Sequence, residues 1–292
     1  MKSTLSRLLV EAAKADPKII VLTGDHGFSL FADYRREHPT QFLNCGIAEQ
    51  NMIGVAAGLA QQGFKPIVYA LAAFMPCRVV EQIKLDLCYP NLPVVLLGDG
   101  AGMVYSNLGP SHHACEDLAL TRSLPNLTIY SPADRHGLAK CFKGALTTPG
   151  PVYIRLGKGD LGDVPLADTI GSDGSSAPPV LLVATGSMVK TAHEVAFALR
   201  SARIVNVNAI KPLRGAANMV ALARESSLVV TLEEHSIYGG LGGAVAEVLA
   251  ENYGMPLHLR LGVPDAFRTT AGSWEYLIKE CGLDTESIVA KI

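Results

Sequence analysis

Glu49 is the only charged residue in Asn44-Cys45-Gly46-Ile47-Ala48-Glu49-Gln50-Asn51-Met52, and no further charge follows until Lys65. Residues 48–61 read as a helix, and a helix this poor in charge reads as a buried one. A carboxylate at the head of a buried helix is costly unless it has a partner or a task. Left without a partner, it is pushed by desolvation towards a neutral pKa, which suits general acid–base chemistry. The plainer alternative is a first-turn acid favoured by the helix dipole. Other reactive side chains recur through the first half of the chain. Asp25 and Ser29 lie in Gly24-Asp25-His26-Gly27-Phe28-Ser29, and Phe74 closes Leu71-Ala72-Ala73-Phe74. His112 lies in Ser111-His112-His113, and two cations, Arg155 and Lys158, lie in Arg155-Leu156-Gly157-Lys158. Singly, each has a plain structural reading: Phe74 as core, His112 as a surface or helix-start residue, Arg155 as an ion pair at a sheet end.

The elements between these residues give them a common address. Apolar runs without alternation, at 19–22, 41–45, 66–70, 93–97, 127–130 and 152–154, read as strands. Helical patterns at 48–61, 79–88, 114–122 and 132–145 separate them, the last opened by Ser131-Pro132 as N-cap and first-position proline. This alternation predicts a parallel sheet covered on both faces. Gly, Asp, Ser and Pro then dominate as far as Pro179, and a second alternation of strands and helices begins at Val180. The fold class is therefore α/β with two parallel-sheet domains, at residues 1–157 and 180–292, joined by a linker at 158–179. Open parallel sheets bind ligands at the carboxyl ends of their strands. The loops after the strands place Asp25, Glu49, Phe74, His112, Arg155 and Lys158 along one such edge, and this joint placement is the signal.

Bulk composition narrows the class. Apolar residues make up 49% and charged residues 18%, which suits large buried surfaces, a subunit interface among them. A net charge of −2 without basic clusters argues against a nucleic-acid partner. No apolar run has the length of a membrane span, so no membrane partner is expected. The six cysteines form no C-x-x-C pair, which predicts reduced thiols in a cytoplasmic protein and no metal ligands.

In their order, Asp25, Gly46-Ile47-Ala48-Glu49-Gln50-Asn51-Met52, Ala72-Ala73-Phe74, Gly109-Pro110-Ser111-His112, Ser131-Pro132-Ala133-Asp134 and Pro151-Val152-Tyr153-Ile154-Arg155-Leu156 resemble the transketolase family. More narrowly, they resemble the C-terminal subunit of split, two-chain bacterial transketolases. Glu233-Glu234-His235-Ser236-Ile237-Tyr238-Gly239-Gly240-Leu241-Gly242 is similar to a segment shared by transketolases and deoxyxylulose-phosphate synthases. The resemblance implies a pyrimidine-binding domain followed by a transketolase C-terminal domain, and thiamine diphosphate as cofactor. It implies that Mg2+ or Ca2+ and the diphosphate are held by an N-terminal partner subunit in an α2β2 assembly. In the family, the glutamate matching Glu49 hydrogen-bonds a pyrimidine nitrogen and favours the imino tautomer, which removes the thiazolium proton. Phe74 matches the aromatic that stacks on the pyrimidine, and Asp25 an acid close to the cofactor. His112 matches a histidine that hydrogen-bonds the ketose. Ser29 and Lys158 match groups near the sugar phosphate, with Arg155 close by. His235 and the rest of the second domain are expected to be structural or interfacial.

Two positions depart from the pattern. Gly100 stands where the family usually carries a histidine, and Leu108 where it carries an aspartate that reads a sugar hydroxyl. A site without that acceptor tolerates substrates without that hydroxyl, which points to a non-standard sugar or sugar phosphate. Gly98-Asp99-Gly100 with Asn126 downstream imitates the metal–diphosphate signature of thiamine enzymes, but Asn126 has no second asparagine beside it and precedes a strand, so it reads as a decoy. The competing enzyme readings are a deoxyxylulose-type synthase and a 2-oxo acid dehydrogenase β-like subunit.

Overall fold

The computed structural model describes residues 1–159, 161–164, 169–170 and 179–292. Most of the expected linker, 158–179, lies outside the described residues. The order in the first half is α1 (Lys2–Ala15), β1 (Ile19–Thr23), α2 (Ala32–Glu37), β2 (Phe42–Asn44), α3 (Glu49–Gln61), β3 (Lys65–Leu71), α4 (Val80–Gln82), β4 (Val95–Asp99), α5 (Asp117–Arg122), β5 (Thr128–Tyr130), α6 (Arg135–Thr147) and β6 (Val152–Leu156). Then come β7 (Thr169–Ile170), β8 (Val180–Ala184), α7 (Met188–Leu199), β9 (Ala202–Asn206), β10 (Ala209–Lys211), α8 (Ala216–Arg224), β11 (Leu228–Ser236), α9 (Leu241–Ala250), β12 (Leu257–Val263), α10 (Trp274–Glu280) and α11 (Thr285–Lys291).

The first sheet runs β10-β5-β6-β4-β3-β1-β2 and the second β12-β11-β8-β9-β7. Both are parallel apart from β10 and β7, which pair antiparallel at an edge. All five residues of β4 and of β6 are buried, as expected for strands covered on both faces. Chain order reverses at β1, which pairs with β2 on one side and β3 on the other. The loops after β1 and β3 therefore part at a topological switch point, where such sheets open a crevice.

Three local expectations change. Residues 79–88 are helical, but α4 passes into a π-helical stretch at Ile83–Cys88. Helix α6 begins three residues later than Pro132, because Asp134 is its cap and accepts from the Gly137 N–H at 2.7 Å. Ser131 serves the domain junction instead, its N–H donating to Asn208 O at 2.9 Å. Helix α3 buries only one face, through Glu49, Met52, Ile53, Ala56, Ala57 and Ala60. Gln50, Asn51, Gly54, Gly58 and Gln61 are exposed.

Strand β10 carries chain from the second half into the first sheet, and polar ties extend that junction. Arg122 donates to Gly239 O at 2.8 Å, and the Ser236 N–H to Cys115 O at 2.7 Å. Glu234 accepts from the Met103 N–H at 2.6 Å, from Trp274 Nε1 at 2.9 Å and from Ser187 Oγ. A side chain at Gly102 would collide with that carboxylate, and its φ of +76° is a further demand for glycine.

Glu233 caps α9, accepting from the Leu241 and Gly242 N–H groups at 2.6 and 2.8 Å. Burial nevertheless pushes its pKa from 4.5 up to about 7. Protonated Glu233 thus contributes stability that is fully present below 4.5 and lost as pH rises through about 7. His235, pushed from 6.5 down to about 4 by burial, gives the opposite slope between those values and offsets Glu233 over most of the same range. Glu233→Gln removes only the first effect, so its Tm is expected to rise relative to the wild type's between pH 5 and 7. Equal slopes in thermal scans would refute this.

Candidate active site

Four expected residues converge at the switch-point edge. Asp25 follows β1, Glu49 follows β2 as the first residue of α3, Phe74 follows β3, and His112 follows β4. Glu49 is 5% exposed. It is not the unpartnered charge that the sequence pattern suggested, because Arg78 Nη1 lies 2.8 Å from its Oε2. The same guanidinium covers the Phe74 ring, with Cζ 4.3 Å from the ring centre. The His112 ring meets Phe74 edge-on at 5.4 Å, and its Nδ1 is 3.0 Å from Ser111 Oγ.

Asp25 is exposed and left-handed, with φ 60°. Asn44, at the end of β2, holds it there. Its Oδ1 accepts from the Asp25 and Gly46 N–H groups at 3.1 and 3.0 Å, and its Nδ2 donates to Asp25 Oδ1 at 3.0 Å. One amide thus ties the loop after β1 to the loop that leads into Glu49. Ser29 is exposed just ahead of α2.

Arg155 is corrected. It is 2% exposed, and its Nε donates to both Asp117 oxygens at 3.0 and 2.9 Å. Its Nη2 donates to Glu234 O at 2.7 Å and Ala114 O at 3.3 Å. Tyr153 adds an O–H donor to Asp117 at 2.8 Å. Arg155 lies inside β6 rather than beyond it, so it points into the domain junction and offers no face to a substrate. Lys158, two residues past β6, lines a cavity of about 500 Å³ with Lys2, Tyr69, Asp99, Tyr105 and Leu156.

The Gly100 departure has a structural counterpart. Its φ is +73°, and a Cβ there would collide with the Tyr105 ring at Cε2. Tyr105 fills the space that a side chain at position 100 would need, and its O–H donates to Asp99 at 2.8 Å. His26 Nε2 lies 3.3 Å from the same oxygen. Burial pushes the Asp99 carboxyl up, but hydrogen bonds from His26 and Tyr105 outweigh it and hold the group below the usual carboxylate range. Asn126 is occupied elsewhere, donating to Cys88 O at 2.9 Å, so it shares no ligand with Asp99. Leu108 is 50% exposed in the same loop.

Sequence reasoning missed Arg78 and Tyr105, left Asn44 without a role inside its motif, and read Asp99 only as part of a decoy. Arg78 carried a signal, since it lies one helical turn past Phe74; Tyr105 carried none.

The chain is similar along its length to known proteins. The model of the transketolase pyrimidine-binding domain matches residues 1–163, and that of the transketolase C-terminal domain matches residues 174–288. The chain belongs to the transketolase family. It is 35% identical to an apulose-4-phosphate transketolase subunit of Phocaeicola vulgatus, over 98% of this chain and 94% of that one. It is also 35% identical to a 6-deoxy-6-sulfo-D-fructose transketolase subunit from Clostridium sp., over 99% and 92%. A 1-deoxy-D-xylulose-5-phosphate synthase of Dechloromonas aromatica is 36% identical, but this transketolase-type chain spans only 46% of it. Among solved structures, a split-gene transketolase described as an inactive β4 tetramer superposes with a TM-score of 0.85 at 38% identity, covering 98% of this chain and 95% of that one. The transketolase of Leishmania mexicana shares the fold at a TM-score of 0.78.

Glu49 and Phe74 together hold one flat nitrogenous group, the Arg78 guanidinium, which lies over the Phe74 ring and pairs with Glu49, the kind of contact an aminopyrimidine would need. Among the described residues, no group of three His, Cys, Asp or Glu side chains is placed to hold a metal ion, and no helix is long and apolar enough to cross a membrane.

Proposed function

We propose that this chain supplies the pyrimidine-binding half of a thiamine diphosphate-dependent ketol transfer, moving a two-carbon unit from a ketose to an aldehyde. The observation that carries it is the convergence of a buried Glu49, the Phe74 ring and His112 at one switch point. When bound, thiamine diphosphate supplies a nucleophilic carbon and an electron sink. Glu49 would share a proton with a pyrimidine nitrogen at the head of α3. Phe74 would stack on that ring, adding ~0.5–1.5 kcal/mol beyond area burial. His112, half-buried, would hydrogen-bond the oxygens of the reacting sugar. Asp25, fixed by Asn44, would stand at the cofactor's edge.

A separate subunit would hold Mg2+ or Ca2+ and the diphosphate, in an α2β2 complex. The open face of α3 supports docking of another chain: it is uncharged, with Gly54 and Gly58 bare and Ile47 78% exposed beside it. The substrate is read as a non-standard sugar or sugar phosphate. Leu108 supplies no acceptor, and Asp99 with Tyr105 presents a different polar wall beside Lys2 and Lys158. The relatives named for apulose 4-phosphate and sulfofructose support the same direction.

The test is turnover by the chain alone and with a diphosphate-binding subunit, across a panel of ketose donors and aldoses. Activity is expected only for the two-chain complex; turnover by the verified single chain would refute the split reading. If xylulose 5-phosphate with ribose 5-phosphate gives the highest kcat/KM, the non-standard substrate is refuted. Pyruvate turnover with an aldehyde acceptor would select the synthase instead.

A further inference from the structure

Arg78 lies in the tight turn Cys77–Val79, where its N–H donates to Phe74 O at 3.0 Å. The turn folds the side chain back over Phe74, and its tip reaches Glu49. One guanidinium thus covers a ring face and a carboxylate that the proposed function assigns to the aminopyrimidine. Two flat groups cannot stack on the same face and bond the same oxygen together. The side-chain exposures differ, at 45% for Arg78 and 5% for Glu49. The arginine can therefore leave into water without disturbing the core, whereas the glutamate cannot.

We propose that Arg78 is an internal competitor for the aminopyrimidine: it occupies Glu49 and Phe74 until the cofactor displaces it. The proposal rests on the reading that this site takes thiamine diphosphate. Its physical basis is the desolvation of Glu49, since a buried carboxylate without a partner is costly. Arg78 satisfies that charge while the pocket awaits its ligand, and its stacking on Phe74 adds a cation–π attraction. Cofactor binding is then an exchange. The apparent affinity is lowered by the fraction of time the site is uncovered, so coverage of about nine-tenths lowers it about tenfold. An internal competitor slows association and leaves dissociation alone, because it acts only on the uncomplexed pocket.

The experiment measures thiamine diphosphate binding, with Mg2+ present, to the assembled two-chain complex. Calorimetry gives Kd and stopped flow gives the rate constants. Arg78→Met keeps the stem and removes the planar head; Arg78→Ala removes both. Each variant is expected to bind about tenfold more tightly, with the gain in the association rate and an unchanged dissociation rate. Circular dichroism confirms that each is folded. Weaker binding with faster dissociation would make Arg78 a direct contact to the cofactor and overturn the proposal. An unchanged Kd would overturn it as well, while leaving the proposed function standing. A wild-type complex that takes up no thiamine diphosphate would overturn both.

Discussion

Glu49→Gln is expected to lower kcat of the assembled enzyme by about 10²- to 10⁴-fold, the range that positioned acid–base groups contribute. The substitution keeps the shape of the side chain and removes its ability to exchange a proton. Glu49 is 5% exposed at the first position of α3, so no neighbouring water readily replaces it. Assembly is expected to persist, because the helix buries its apolar face through Met52, Ile53, Ala56 and Ala60 whatever stands at position 49. Arg78 loses a charged partner but is half-exposed and can turn to solvent. Single-turnover kinetics, with light scattering to confirm the complex, check the prediction. Unchanged turnover would remove Glu49 from the chemistry.

Arg155→Ala is expected to destabilise the folded chain by about 3–5 kcal/mol, the usual result of breaking one side of a buried ion pair. Asp117 is 0% exposed and would keep only the Tyr153 hydroxyl as a side-chain donor among its described bonds. The bonds to Glu234 O and Ala114 O would also go, and with them part of the domain junction. That is a large share of an ordinary folding free energy of about 5–15 kcal/mol. Replacing Arg155 and Asp117 together by apolar residues is expected to do less damage, since no buried charge is then left unpaired. Urea unfolding of the single and double variants measures the difference. A raised KM with unchanged stability would return Arg155 to the substrate.

The strands of the first sheet were legible because a strand buried on both faces needs an unbroken apolar run, and that requirement is local. The misplaced start of α6 shows where local reasoning fails. Ser131-Pro132 has good capping chemistry, but Asp134 takes the cap by accepting from the Gly137 N–H, while Ser131 Oγ is buried without a hydrogen-bond partner among the described residues. Strand β10 has no pattern of its own in three residues, and only pairing with β5 makes it a strand. The uncharged α3 was read as fully buried, yet one face is open in this chain. Lack of charge reports that a surface avoids water, without saying whether its cover comes from the same chain or another.

Sequence by itself determined the alternation of strands and helices, hence the one sheet edge that gathers Asp25, Glu49, Phe74 and His112. It did so because side-chain periodicity and strand–loop order follow from the local backbone. Tertiary structure alone decided the partners. It set Arg78 against Glu49, locked Arg155 to Asp117, and put Tyr105 in the space left by Gly100. Those pairings join residues from different loops, and their distances depend on how the strands are ordered in the sheet rather than on their spacing along the chain.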